Sequence, residues 1–139
     1  MLTPLFPGIQ LSKRLLVDES RCIKFMGPEA AVYATPSMVN DAEHACHEVL
    51  LPHFSPGESS VGMEVQIQHL AATPIGMHVT VQARVVHVEG RKVTFEFEIR
   101  DDLELVGQGT HARMVVDIER TIERLHKKRA QWAENQGKL

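Results

Sequence analysis

The sequence predicts an α+β fold in which one long central helix is wrapped by a curved antiparallel sheet and a second helix ends the chain. Two observations predict this class: one stretch with helical spacing, and a run of strand-like segments after it. An amphipathic helix must bury its apolar side, and an antiparallel sheet with one apolar face can cover it. The 139 residues suit a single domain over residues 1–139.

The first strand and the central helix are predicted early in the chain. Residues 9–17 alternate loosely between apolar and polar, which indicates a strand. The helix is predicted over about residues 36–51, because Thr35 can cap it and a proline in its first turn loses no needed N–H. Its apolar side is expected to contain Met38, Val39, Ala42, Cys46, Val49 and Leu50, and its polar side Asn40, Asp41, His44, His47 and Glu48.

Three later segments alternate with the period of two that is typical of half-buried strands. Their apolar positions are Met63, Val65 and Ile67, then Met77, Val79, Val81, Ala83 and Val85, then Val93, Phe95, Phe97 and Ile99. Turn-like sequences at 72–76 and 89–90 separate these segments, which favours antiparallel neighbours.

The chain is predicted to end in a last strand and a docked helix. The strand covers about residues 105–118, and the helix about 119–134. Ile122, Leu125 and Trp132 are spaced for one apolar stripe on that helix. The basic residues between them suit a solvated helix face, with a phosphate contact as the alternative.

Composition excludes several classes of protein. A net charge of -3 gives no general attraction for nucleic acid, and no apolar run approaches the roughly 20 residues of a membrane span. The N-terminus does not resemble a secretory signal, so we expect a cytoplasmic protein with Cys22 and Cys46 as reduced thiols.

Glu43 is the first candidate for chemistry. It follows Val39 by four residues and precedes Cys46 by three, which places a carboxylate on or beside the apolar stripe of the helix. Buried acids are over-represented at functional sites. The alternative is a side chain at the edge of the stripe that reaches water.

His69 and Thr35 are the other two candidates. Extending the series Met63, Val65, Ile67 by two residues puts His69 on the apolar strand face that should cover the helix. There it is either a core histidine or half of a carboxylate–imidazole pair that moves protons near neutral pH. Thr35 is either a simple N-cap or a hydroxyl that faces an anionic centre at the helix start.

No metal site or organic cofactor is predicted. His44 and His47 are three residues apart on the helix, but no third ligand stands at a recognised spacing. The glycine-rich and catalytic motifs of nucleotide hydrolases, dinucleotide enzymes, α/β-hydrolases and zincins are absent.

Several short stretches resemble one known family. They are VYATPSMV at 32–39, PGESSVG at 56–62, HLAATPIG at 69–76, VEGR at 88–91 and GQGTHAR at 107–113. In this order and spacing, they resemble the fluoroacetyl-CoA thioesterase-like family of hotdog-fold proteins over roughly residues 32–117.

The resemblance implies an acyl-CoA hydrolase with Thr35, Glu43 and His69 as catalytic residues. It also implies a homodimer whose sheets join edge to edge, with active sites near the interface and the pantetheine arm of acyl-CoA entering between the protomers. Gly62 matches a glycine near the thioester and Arg113 a conspicuous arginine, which makes both candidates for binding substrate or CoA. No cofactor is implied, because CoA is part of the substrate.

The predicted function is hydrolysis of a short or medium acyl-CoA to free acid and CoA. One alternative is an acyl-CoA hydratase or dehydratase on the same fold. The Asp-x4-His arrangement of that branch is absent, because Cys46 stands where a histidine would follow Asp41. The other alternative is a non-catalytic acyl-CoA-binding module, since a fold alone does not determine function.

Overall fold

The computed structural model describes residues 4–137, in which a five-stranded antiparallel sheet packs against one long helix. Its elements are β1 (Gln10–Leu16), β2 (Cys22–Ile23), β3 (Val32–Tyr33), α1 (Thr35–Leu50), β4 (Glu58–His69), β5 (His78–Glu89), β6 (Lys92–Arg100), β7 (Leu105–Asp117) and α2 (Ile118–Gly137). The sheet order is β1-β5-β6-β7-β4, and β2 and β3 form a separate two-stranded ribbon.

The core lies between α1 and one face of the sheet. The helix buries an apolar side that contains Met38, Ala42, Ala45, Cys46, Val49 and Leu50. The sheet covers it with the alternating residues of β5 and β6, which are Val79, Val81, Ala83, Val85, Val93, Phe95, Phe97 and Ile99. The predicted helix and antiparallel strands are therefore confirmed, with ends within a few residues of those expected.

One strand position differs from the prediction. The register between β4 and β7 shifts between Gly62 and Glu64, which is a β-bulge at Met63. Because the extra residue breaks the period of two, Met63 is 51% exposed instead of facing the helix. Beyond the bulge the alternation resumes, and Val65, Ile67 and His69 are half-buried as predicted.

The second helix is present, but it does not dock on this protomer as predicted. No residue of α2 that the structure describes is buried. Its apolar stripe is exposed at Ile118, Ile122, Leu125 and Trp132. The spacing correctly predicts which residues share a side of the helix. The prediction that another element of this protomer covers that side is wrong. Within residues 4–137, no helix combines the length and the apolar character needed to cross a bilayer.

We expect Gly109→Ala to destabilise the sheet strongly. A Cβ atom at this position would overlap the carbonyl oxygen of Gln66 and lie 2.8 Å from Cζ of Phe97. Backbone cannot move aside as a flexible side chain can, so the melting temperature should fall by the equivalent of about 3 kcal/mol. Gly137→Ala is the matched control, because nothing lies within 4 Å of its added methyl group. Equal melting temperatures for the two variants would contradict the close approach described here.

Candidate active site

Thr35 and His69 form a contact at the start of α1. Thr35 Oγ1 lies 2.7 Å from His69 Nδ1. Thr35 is the first residue of the helix, whereas the N-cap is Ala34 and makes no side-chain hydrogen bond to the first turn. The prediction that Thr35 caps the helix is therefore wrong, and its hydroxyl is directed to the imidazole instead.

The imidazole of His69 is held at the end of β4, and its environment favours the neutral form. Burial lowers the pKa of His69, and the backbone of Ala71 only partly opposes this shift. Its Nε2 atom is buried and has no hydrogen-bond partner among residues 4–137. A neutral imidazole 2.7 Å from a hydroxyl has the geometry of a nucleophile and its general base.

Glu43 occupies a different part of the same helix. It is half-buried, which fits both a carboxylate beside the apolar stripe and a side chain at its edge. It follows Thr35 by eight residues, or roughly 12 Å along the helix axis. An ideal Cβ built on Gly62 would lie 3.5 Å from Glu43 Oε1, so the carboxylate faces the strand at Gly62. The hydrogen bond of His69 goes to Thr35, so the predicted carboxylate–imidazole pair does not form within this protomer.

Arg113 lies next to the carboxylate of Glu43 and is almost completely buried. Its guanidinium donates from Nε to Ser60 Oγ at 2.7 Å and from NH2 to the Ser60 carbonyl at 3.1 Å. Burial lowers the pKa of Arg113, while the negative charge of Glu43 opposes that shift. Arg113 is 7% exposed, and its guanidinium contacts Ser60 and His111 in the protein interior.

His111 fixes the direction of the Arg113 side chain. Because a guanidinium only donates, His111 Nε2 accepts from Arg113 at 3.0 Å, and His111 Nδ1 then donates to the Glu64 carbonyl at 2.8 Å. Burial lowers the pKa of His111, which favours this neutral tautomer. Sequence reasoning did not select His111, although its position two residues before Arg113 puts both on one face of β7.

Asp41 is buried, although the helical spacing was interpreted as placing it on the polar side of α1. It is 4% exposed and accepts hydrogen bonds from the Tyr33 hydroxyl at 2.6 Å and from Arg21 Nε at 3.0 Å. Its spacing could have revealed this position, since it lies three residues after Met38 and four before Ala45. The partner Arg21 is far away in the sequence and carries no such signal.

His44 does not join the site, whereas His47 reaches the Arg113 side chain through Ser60. His44 Nδ1 contacts the Asn40 carbonyl at 2.8 Å, whereas His47 Nδ1 contacts Ser60 Oγ at 2.7 Å. Within the described part of the chain, no group of three or more potential ligands is arranged to hold a metal ion. Burial raises the pKa of the Cys46 thiol to about 12, so this thiol is not a ready nucleophile.

Known proteins resemble this chain over most of its length. The family model of FlK, the fluoroacetyl-CoA-specific thioesterase, matches residues 17–119. The fluoroacetyl-CoA thioesterase of Streptantibioticus cattleyicolor is 33% identical over 120 residues, which cover 81% of this chain and 86% of that protein.

Solved structures agree with this assignment. A structure of the fluoroacetyl-CoA thioesterase FlK matches with a TM-score of 0.83 at 31% identity, covering 91% of this chain and 98% of that one. A thioesterase superfamily member from Thermus thermophilus matches with a TM-score of 0.86 at 28% identity, covering 94% and 98%. The predicted hotdog thioesterase is confirmed, and the chain belongs to the family of fluoroacetyl-CoA-specific thioesterases.

Proposed function

We propose that this protein hydrolyses a short or medium acyl-CoA to the free acid and CoA, with Thr35, Glu43 and His69 as catalytic residues. The observation that carries the proposal is the 2.7 Å contact between Thr35 Oγ1 and His69 Nδ1. This distance lies within the hydrogen-bond range that proton transfer requires. Membership of the thioesterase family supports the same reaction.

In the proposed mechanism, His69 accepts a proton through Nδ1 from the Thr35 hydroxyl or from a water molecule at that position. The activated oxygen attacks the thioester carbonyl and forms a tetrahedral oxyanion. The first turn of α1 has no side-chain cap, so its backbone N–H groups can stabilise that negative charge. The C–S bond then breaks, and CoA thiolate leaves and takes up a proton. If Thr35 is the nucleophile, water hydrolyses the resulting ester in a second step.

The proposed role of Glu43 is to orient substrate or water by its negative charge. Its carboxylate faces Gly62, where the strand carries no side chain, so a ligand can approach the backbone closely there. Arg113 is buried beside this point, which supports a contact with the reacting end of the substrate over a contact with the phosphates of CoA.

We also propose a homodimer whose active sites lie near the interface. β4 is an edge strand of the sheet, and it exposes the apolar residues Val61 and Met63. A long edge strand with exposed apolar side chains is unstable as a free surface and pairs readily with another strand. Pairing through β4 would bring Gly62 and Glu43 close to the partner, with the pantetheine arm between the protomers. We expect this dimer to act in the cytoplasm, without a metal or an organic cofactor.

Purified protein treated with a chelator should release free thiol from at least one member of a panel of acyl-CoA esters, fluoroacetyl-CoA included. A thiol reagent measures the rate, and butyryl and longer chains define the size limit of the acyl group. Binding of acyl-CoA without turnover would favour the non-catalytic module. Loss of enoyl-CoA absorbance without thiol release would instead favour the hydratase.

A further inference from the structure

Tyr33 lies beside the His69 side of the Thr35–His69 contact. It precedes Thr35 by two residues, and its ring stands edge-on to the ring of His69, with centroids 6.3 Å apart and planes at 71°. This is the preferred T-shaped arrangement of two aromatic rings. Tyr33 is 1% exposed, so its ring cannot move away into solvent.

The orientation of the Tyr33 ring is itself held by an ion pair between the buried carboxylate of Asp41 and the half-buried Arg21. Its hydroxyl donates to Asp41 Oδ2 at 2.6 Å. Arg21 then holds this carboxylate with two groups, from Nε to Oδ2 at 3.0 Å and from NH2 to Oδ1 at 3.3 Å. A two-point contact between guanidinium and carboxylate restricts rotation more than a single hydrogen bond does. Three segments therefore determine where the Tyr33 hydroxyl lies: β3 carries Tyr33, α1 carries Asp41, and a separate segment carries Arg21.

The backbone of Tyr33 is tied to the loop that follows His69. Its N–H donates to the Thr73 carbonyl at 2.8 Å. Thr73 is fully buried, and its hydroxyl donates to Asp101 Oδ2 at 3.0 Å. Tyr33 therefore contacts the imidazole of His69 through its ring and holds Thr73, four residues after His69, through its backbone.

We propose that Tyr33 is a positioning residue, which Asp41 and Arg21 hold in place and which fixes the imidazole plane of His69 so that Nδ1 points at Thr35. In many hydrolases a carboxylate bonded to the second nitrogen orients the base. Here Nε2 of His69 has no carboxylate partner among the described residues, and besides Thr35 the backbone of Ala71 acts on the ring, so packing against Tyr33 is assigned the task of orienting it. The inference rests on the proposed role of His69 in hydrolysis.

Four substitutions separate positioning from simple stability. Tyr33→Leu removes the ring, and Tyr33→Phe keeps the ring but releases it from Asp41. Val85→Ala is a control in the core on β5, where Val85 pairs with Phe95. We expect kcat to fall about 10- to 100-fold in Tyr33→Leu and about 3- to 10-fold in Tyr33→Phe, with KM changed less than twofold. Val85→Ala should lower the melting temperature and leave kcat unchanged. Asp41→Asn should lower kcat by about as much as Tyr33→Phe does, because it weakens the contact between Arg21 and residue 41.

Nitrogen NMR of the histidine side chains tests the same inference without any substrate. The wild-type imidazole of His69 should show one tautomer, and Tyr33→Leu a mixture of two. The acid limb of kcat/KM should also move up toward pH 6.5 in Tyr33→Leu, since water then reaches the ring. If Tyr33→Leu does not fold, the kcat and the His69 tautomer of Tyr33→Phe decide whether the inference holds.

The inference is overturned if the Tyr33 variants keep a single His69 tautomer and match Val85→Ala in kcat. If the wild-type protein hydrolyses no thioester, the proposed function fails, and the tautomer measurement alone still decides whether Tyr33 positions His69.

Discussion

His69→Ala is expected to lower kcat about 10²- to 10⁴-fold with a smaller change in KM, which is the usual cost of losing a general base. The reason is that His69 Nδ1 is the nitrogen 2.7 Å from the Thr35 hydroxyl. The matched control is His87→Ala, whose side chain is 65% exposed on β5 beside Glu89. A stopped assay at saturating acyl-CoA measures kcat for both variants.

The pH dependence supplies a second readout for His69. The base is active when neutral, and burial lowers the pKa of His69. Activity should therefore be lost as the pH falls, with a midpoint below the ordinary histidine value of about 6.5. A folded His69→Ala protein with wild-type kcat would make His69 a core histidine and remove it from the mechanism.

Glu43→Gln is expected to lower kcat about 10²-fold or more while it changes the melting temperature little. Glutamine keeps the shape of the side chain beside Gly62 but removes the negative charge that the mechanism uses. The stability cost is limited because Ser60 and His111 still accept hydrogen bonds from the guanidinium of Arg113. Glu43→Met would destabilise the protein more than Glu43→Gln, since it would leave the buried Arg113 beside an apolar side chain.

Glu48→Gln is the matched control on the same helix. Glu48 forms an ion pair with Lys13 at 2.5 Å, and both side chains are 34% exposed. Such a pair contributes little to stability, so we expect near wild-type activity and a similar melting temperature. Parallel thermal melts and hydrolysis rates decide the assignment. Equal kcat for the Glu43 and Glu48 variants would mean that Glu43 only reaches water at the edge of the helix.

Periodicity predicted most of the fold and pointed to His69. The alternation in β5 and β6 and the helical spacing of α1 depend on local geometry, which the sequence records directly. His69 was found because a titratable side chain continued an apolar series. The hydrogen bond between His69 and Thr35 is a finding of the structure that no sequence pattern predicted, and the catalytic roles of both residues remain predictions.

The features that periodicity missed depend on contacts between distant segments. The bulge at Met63 adds one residue to β4 without changing the alternation of apolar residues in the sequence. Arg21 meets Asp41 from a separate turn, and His111 acts through Arg113 and the carbonyl of Glu64. Each of these arrangements is decided by tertiary packing, which a single sequence pattern does not encode.

Because α2 is exposed, the tryptophan and the tyrosine of this protein report on different parts of the structure. The chain has one tryptophan, Trp132, and one tyrosine, Tyr33. Trp132 is 61% exposed on a helix that buries none of its described residues, whereas Tyr33 is buried beside His69. Because α2 buries none of its described residues and is tied to the rest of the protomer at its first residue, where Ile118 N–H donates to the Gly57 carbonyl, its far end can fray while the sheet stays intact. Tryptophan fluorescence therefore follows the terminal helix, and loss of the sheet has to be followed through Tyr33 absorbance or by calorimetry.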